Sequence, residues 1–230
     1  MQEVHGSKVP DADTYVARKR GARVADYQKH NLVRAISFVA RRRLALDIGG
    51  HIGTSANRLS RIFRRVVTFE PAADTYACLL EIISARALSN VTAYNLALSD
   101  KRGSACLMPY SRDPGNVGAR SLSSGDDVIV FTMDDSDFSD LDFIKIDVEG
   151  FEALVLLGGR STLCRERPVI MFEERGLKGR VPAGTPSPQM ILGDWGARLL
   201  LKMGGDEIWG WETKDSIASK AGEPSLITGD

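Results

Sequence analysis

The sequence predicts an α/β fold, a parallel sheet with helices on both faces, on three observations. Short apolar runs alternate with stretches of helical spacing through most of the chain. The first run ends in a glycine turn, Leu46-Asp47-Ile48-Gly49-Gly50-His51-Ile52-Gly53. The second, Val66-Val67-Thr68-Phe69, ends in Glu70-Pro71, and Gly49 to Glu70 is 21 positions. An offset of roughly 20 residues separates an anion-binding turn from a ribose-binding acid in a βαβ unit.

Taken in order, residues 1–22 read as loosely ordered. Leu32, Val33, Ile36, Val39 and Ala40 fall at helical spacing, which predicts a helix from Ala25 to Val39 with Arg41-Arg42-Arg43 in its last turn. Strand one is Leu44 to Ile48, followed by a helix from Ser55 to Phe63. Strand two is Val66 to Phe69, the next helix Asp74 to Ala87, and strand three Val91 to Ala97. Ala105 to Met108 and Asp127 to Phe131 read as extra strands. Between them, Pro109 to Ser124 is rich in Gly, Ser, Asp and Arg and reads as a mobile loop over the site. Strand four is Phe143 to Ile146, a helix runs from Phe151 to Leu157, and strand five is Val169 to Phe172. A short helix at Pro188 to Gly193 precedes a hairpin, Arg198 to Met203 and Glu207 to Trp211, turning at Gly204-Gly205. This makes one domain over 23–212, with an N-terminal helix at 23–43, a cofactor-binding core at 44–174, a C-terminal hairpin section at 175–212 and a flexible tail at 213–230.

The 230 residues are 43% hydrophobic and 26% charged, enough to bury a core, and the net charge of zero gives no global pull toward nucleic acid or membrane. Cys78, Cys106 and Cys164 have neither zinc spacing nor a disulfide framework, so a reducing cytoplasm is the expected home. No signal peptide is visible, and no apolar run nears the ~20 residues that span a bilayer. Charge is uneven locally. Residues 18–43 carry nine Lys or Arg and one acid, Asp26, whereas 126–142 carry seven aspartates and no base. These blocks read as solvated faces, as a contact for an anionic partner, or as partners of each other.

The glycine turn lets backbone approach a ligand, and the following helix start offers free N–H groups. A dinucleotide fingerprint would need glycine where Ile48 stands. A carboxylate at the end of strand one, Asp47, suits instead a cofactor carrying an amine, which favours S-adenosylmethionine. Glu70 suits the ribose hydroxyls. Ile144-Lys145-Ile146-Asp147-Val148-Glu149-Gly150 delivers two acids at the carboxyl end of strand four, the edge where open α/β sheets bind ligands. Asp147 and Glu149 can orient an amine or take a proton, and Glu149 also fits as an acid at a helix start.

These segments resemble the FkbM family of S-adenosylmethionine-dependent methyltransferases. The resemblance rests on Asp47 to Gly53, Thr68-Phe69-Glu70-Pro71, Asn95 to Asp100, Thr132 to Asp135, Phe143 to Glu152 and Arg167 to Glu173, in the family's order. The Lys-x-Asp-x-Glu-Gly run is the most specific. The resemblance implies a class I methyltransferase fold: a Rossmann-like three-layer sandwich around a mostly parallel seven-stranded sheet with an antiparallel last strand. It implies methyl transfer, usually to a hydroxyl of a sugar or natural product, leaving S-adenosylhomocysteine. By carry-over, Asp47, Gly49, Gly50, His51, Ile52 and Gly53 cradle the methionine part. Glu70 and Pro71 hold the ribose side, Asn95, Ala97, Leu98 and Ser99 border the adenine, and Asp147 lies near the reacting methyl. His51 departs from the family's usual small residue or Asn.

Methyl transfer to a hydroxyl is an in-line displacement helped by a base. The base candidates are Asp147, Glu149, Glu173 and Glu174, with His30 and His51 as weaker ones and His5 set aside. No metal is expected; Mg²⁺ on Asp147 and Glu173 stands as a minor variant. Trp195, Trp209 and Trp211 read as packing residues. The alternatives are a nucleic-acid (RNA) methyltransferase using the basic 18–43 segment, a nicotinamide oxidoreductase, and a cofactor-binding module without turnover. The first lacks the Asp/Asn-Pro-Pro-aromatic run common among enzymes that methylate base nitrogens.

Overall fold

Strands made mostly of apolar residues must be covered on both faces, and this requirement organises the chain. The computed structural model describes residues 1–4, 7–15, 28–109, 113–173 and 183–211. β3 (Leu44–Ile48) is buried at every position and lies at the centre of a seven-stranded sheet. β4 (Arg65–Phe69) and then β5 (Val91–Tyr94) flank it on one side, all parallel. On the other side lie β9 (Leu141–Ile146) and β10 (Val169–Glu173), also parallel. The C-terminal hairpin of β11 (Arg198–Met203) and β12 (Asp206–Gly210) completes the sheet. β12 inserts antiparallel between β10 and β11, so the last strand among the described residues is the reversed one.

The alternation of side chains sorts the core into two layers. Leu44, Leu46, Ile48, Ile144, Ile146, Ile170 and Phe172 face α4 (Glu152–Leu157), α5 (Arg160–Glu166) and α6 (Pro188–Asp194). Ala45, Val66, Phe143, Met171 and Ile208 face α1 (Lys29–Ile36) and α2 (Thr54–Leu59). Trp209 is buried in the first layer, with Trp195 and Trp211 packed against it, as expected of packing residues.

Several expectations are corrected. α1 ends before the expected Val39, because Phe38 and Val39 leave the helix to bury themselves beneath the sheet, while residues 25–27 lie outside the described residues. Arg41 to Arg43 therefore lie beyond the helix rather than in its last turn. Arg43 instead binds Asp142 bidentately, with its guanidinium at 2.7 and 3.0 Å, and also pairs with Asp140. At this point the basic and acidic blocks are partners of each other, while Arg18, Lys19, Arg20 and Arg23 lie outside the described residues.

Residues 2–4 and 7–9 are not loose: β1 (Gln2–Val4) and β2 (Ser7–Val9) pair antiparallel, and Val9 is buried against Ile52 and Cys78. The strand expected from Val91 to Ala97 breaks after Tyr94. The Asn95 side chain donates to the Glu70 and Pro71 carbonyls at 2.8 and 3.0 Å, which turns the chain away from the sheet. β6 (Ala97–Leu98) then joins a second sheet with β8 (Ser121–Phe131) and β7 (Gly103–Met108).

The segment expected to be a mobile loop is largely built. Val117–Ala119 form a helical turn with Val117 buried, and residues 121–124 belong to β8, while 110–112 lie outside the described residues. The turn is fixed from outside its own sequence. The Gly115 carbonyl accepts from the Thr14 and Tyr15 N–H groups, and Arg120 grips Asp74 on α3 (Ala73–Ala85) bidentately at 2.5 and 2.6 Å. α5 was not foreseen. Its start is capped by Asp134, whose carboxylate accepts from the Ser161 and Thr162 N–H groups at 2.9 Å each, a partner about 27 positions away. The expected tail, 213–230, lies outside the described residues.

Candidate active site

The turn after β3 is shaped by what lies against it. Gly49 adopts φ +86°, and its N–H and that of Gly50 both donate to the Phe69 carbonyl at 3.0 and 2.9 Å. A methyl group on Gly49 would run into the Asp147 carbonyl, and one on Gly50 into the Thr68 hydroxyl. Only glycine lets the turn sit this close to both neighbouring strands. His51 is also left-handed, at φ +49°, a conformation His accepts more readily than β-branched residues do. Ile52 is buried, and Gly53 abuts Leu79 at the start of α2.

Glu70 is tied into this turn. Its carboxylate accepts from the His51 N–H at 2.7 Å, the Ala72 N–H at 2.9 Å and the Thr75 hydroxyl at 2.8 Å. A carboxylate offers about four acceptor positions, so three are already taken by protein. Glu70 therefore clasps the glycine turn to β4 and α3, and Pro71 lies beside it. Asn95 is held to the same corner, through Glu70 and Pro71. Ala97, Leu98 and Ser99 are not presented there: all three are buried, and the Ser99 N–H donates to Phe131 in the second sheet.

Across the turn, the carboxyl ends of β9 and β10 bring Asp147, Glu149 and Glu173 together. One oxygen from each lies within 4.8 Å of the others, and all three residues are half-buried. This joins the three expected catalytic acids on one ledge. The backbone makes the ledge by a double left-handed turn, Glu149 at φ +55° and Gly150 at φ +102°. Glu152, a residue the sequence reading did not assign, holds that turn by accepting from the Val148 and Gly150 N–H groups at 3.3 and 3.1 Å. Burial pushes the Glu152 carboxyl up from its ordinary value. Glu152, not Glu149, is the acid in the first turn of α4. Its signal was present in the sequence as an acid at the head of an apolar helix.

Asp47 is a correction of another kind. It was expected on an exposed ligand edge, but it is fully buried beneath the turn. Lys145 stands opposite it in the β3–β9 register and is 4% exposed. The Lys145 ammonium lies 3.6 Å from Asp47 Oδ1 and 3.3 Å from Asp147 Oδ2. The Thr68 hydroxyl donates to Asp47 Oδ2 at 3.4 Å. Burial pushes Asp47 up to about 6, against the pull of Lys145. Lys145 was the second residue the sequence reading left without a role.

His51 sends its imidazole beneath the Val117–Ala119 turn, where Nε2 would be 3.2 Å from a methyl on Gly118. His30 lies on α1 and Glu174 outside the described residues. The two halves of the site, the glycine turn with Glu70 and the acid ledge, meet where Gly49 abuts Asp147.

A seven-stranded sheet with its last strand reversed, and a glycine turn and acids at the carboxyl ends of its central strands, defines the class I methyltransferase fold. The Methyltransferase FkbM domain matches residues 47–198. The chain belongs to that family. Methyltransferase FkbM from Methylobacillus flagellatus KT has the same fold, with a TM-score of 0.52 at 18% identity over 74% of this chain. This chain spans 43% of the length of that one. A SAM dependent methyltransferase from Aquifex aeolicus matches 79% of this chain and 88% of its own at 14% identity, with a TM-score of 0.44. An RNA methyltransferase from Salinibacter ruber, in complex with S-adenosyl-L-homocysteine, matches 80% of this chain and 90% of its own at 13% identity, with a TM-score of 0.43. No curated protein matches the chain. Among the described residues, no helix is long and apolar enough to cross a membrane.

Proposed function

We propose that this protein transfers a methyl group from S-adenosylmethionine to a hydroxyl of a sugar or another small molecule. The observation that carries this reading is the convergence of Asp147, Glu149 and Glu173 on one ledge beside the glycine turn. Several carboxylate oxygens in one place suit an acceptor rich in hydroxyl protons, and any of the three can act as the base.

The cofactor fits the turn on two counts. Gly49 and Gly50 leave backbone bare where side chains would collide, and the surplus of carboxylate at the adjoining edge suits an ammonium and a sulfonium. Bound S-adenosylmethionine supplies an electrophilic methyl carbon with sulfur as the leaving group. The chain's own part is to orient the acceptor oxygen about 3 Å from that carbon, in line with the breaking bond. A ledge carboxylate would take the proton that the acceptor hydroxyl gives up on methylation. Asp147, Glu149 and Glu173 enter as hydrogen-bond and proton acceptors. Glu70, with one acceptor position left, and Asn95 serve the ribose and adenine side.

The RNA reading stays second: within the basic segment Arg43 is engaged with Asp140 and Asp142, while Lys29, Arg34, Arg41 and Arg42 are exposed. A reducing compartment such as the cytoplasm suits the three free cysteines.

Calorimetric titration with S-adenosylmethionine and, separately, NAD⁺ tests the cofactor. Micromolar binding of the first with no signal from the second is expected. Labelled-methyl transfer to a panel of glycosides and to total RNA then tests the acceptor. Transfer to RNA alone, with affinity falling steeply as salt rises, would replace the sugar reading. Binding without transfer to any acceptor would point to a module without turnover.

A further inference from the structure

Asp47, Lys145 and Asp147 form a line of three charges running from the inside of the sheet to the ligand edge. Asp47 is fully buried, Lys145 is 4% exposed, and only the Asp147 carboxylate reaches solvent, at 15%. The line crosses two strands. Asp47 pairs with Lys145 in the β3–β9 register, and Lys145 and Asp147 are two residues apart on one strand face. The Asp147 N–H donates to the Ile48 carbonyl at 2.9 Å, so the backbone of Asp147 is fixed to β3 as well. A fully buried carboxylate cannot touch a ligand that binds at the sheet edge. Removing either acid beside a buried ammonium leaves charge less well neutralised and is destabilising.

We propose that Asp47 and Lys145 are a buried positioning pair that acts on the cofactor through Asp147, with Asp47 anchoring the Lys145 ammonium and Lys145 aiming the Asp147 carboxylate. The proposal rests on the methyltransferase reading above. It reassigns Asp47, the acid expected to contact the cofactor amine, from a ligand contact to the inner end of this line. It also gives Lys145 a part in the site. Thr68 closes the inner end of the line through its hydrogen bond to Asp47. At the outer end Asp147 faces Glu149 and Glu173, with Glu152 close enough to sense its charge.

A double-mutant cycle read by S-adenosylmethionine calorimetry at pH 7.5 tests this, with thermal melts to establish folding. Lys145→Met and Asp47→Asn are each expected to weaken binding about tenfold, within the range of coupling energies between contacting residues. Lys145→Arg, which keeps the charge, is expected to stay nearer the wild type than Lys145→Met does. In an Asp147→Asn background, neither Lys145→Met nor Asp47→Asn should weaken binding further. A packing role alone would weaken binding equally in both backgrounds, and that result overturns the proposal. If Lys145→Met does not melt cooperatively, the near-isosteric Asp47→Asn pair decides by the same criterion. Wild-type protein that ignores S-adenosylmethionine would overturn the methyltransferase reading itself, an outcome distinct from additivity in the cycle.

Discussion

Gly49→Ala probes the one contact that joins both halves of the site. Gly49 is at φ +86°, where an L side chain costs roughly 1–2 kcal/mol. The added methyl would also lie on the Asp147 carbonyl oxygen, a backbone atom that no rotamer change can move aside. Relief requires the ends of β3 and β9 to part, and overpacking of this kind costs about 1–3 kcal/mol. The sum, about 2–5 kcal/mol, is a large share of a typical stability of ~5–15 kcal/mol. In a chain of this size it lowers the melting temperature by roughly 4–20 °C. Because the strain falls on the backbone of Asp147, affinity for S-adenosylmethionine should fall with it, by tenfold or more. Differential scanning calorimetry and cofactor titration read both effects. A melting temperature within about 2 °C of wild type, with unchanged affinity, would mean that β9 does not constrain the turn, and the site as described would be wrong.

Glu70→Ala strips three donors of their acceptor at once, the His51 and Ala72 N–H groups and the Thr75 hydroxyl. At about 1–3 kcal/mol for each buried unsatisfied group, it should cost several kcal/mol in a denaturant melt as well as cofactor affinity. Asp47 carries a pH signature. Its value is raised from 3.8 to about 6, so its contribution to stability is complete below 3.8 and is lost as pH rises through about 6. That contribution amounts to about 3 kcal/mol, and Asp47→Asn should flatten the stability profile over that window relative to wild type. Arg120→Ala frees Asp74, which Arg120 holds below the usual carboxylate range. The Asp74 contribution is present above its unfolded value and is lost as pH falls through the lowered one. Hydrogen exchange at Val117–Ala119 should quicken in this variant, and unchanged protection would show that the turn is held by other contacts.

The strands and the glycine turn were legible because their signals are local. Leu44–Ile48 is apolar at every position but Asp47 and is bounded by arginines and glycines, and the strand found there has those same ends. The β4, β9 and β10 runs are of the same kind, and Gly49, Gly53 and Glu70 announce a βαβ ligand edge by their spacing alone. The acid ledge was half legible. Asp147 and Glu149 stand in one motif, but that Glu173, 24 positions beyond Glu149, shares their space follows from the parallel pairing of β9 and β10.

What only the tertiary structure decided depends on partners distant in sequence. Whether Asp47 faces a ligand or the interior turns on which residue stands opposite it on β9, a pairing across about 98 positions. Glu70 looks in the sequence like an acid free to meet a ribose, yet the fold commits three of its acceptor positions to the protein. The 109–124 segment has the composition of a mobile loop, yet Gly115 and Arg120 within it are held by Thr14, Tyr15 and Asp74, none of them nearby in the chain. Backbone period and turn chemistry are properties of a few consecutive residues, so the sequence by itself determined the elements and their order. Burial and charge pairing depend on residues that only the folded sheet brings together, and so the roles of Asp47, Lys145 and Glu70 were decided there.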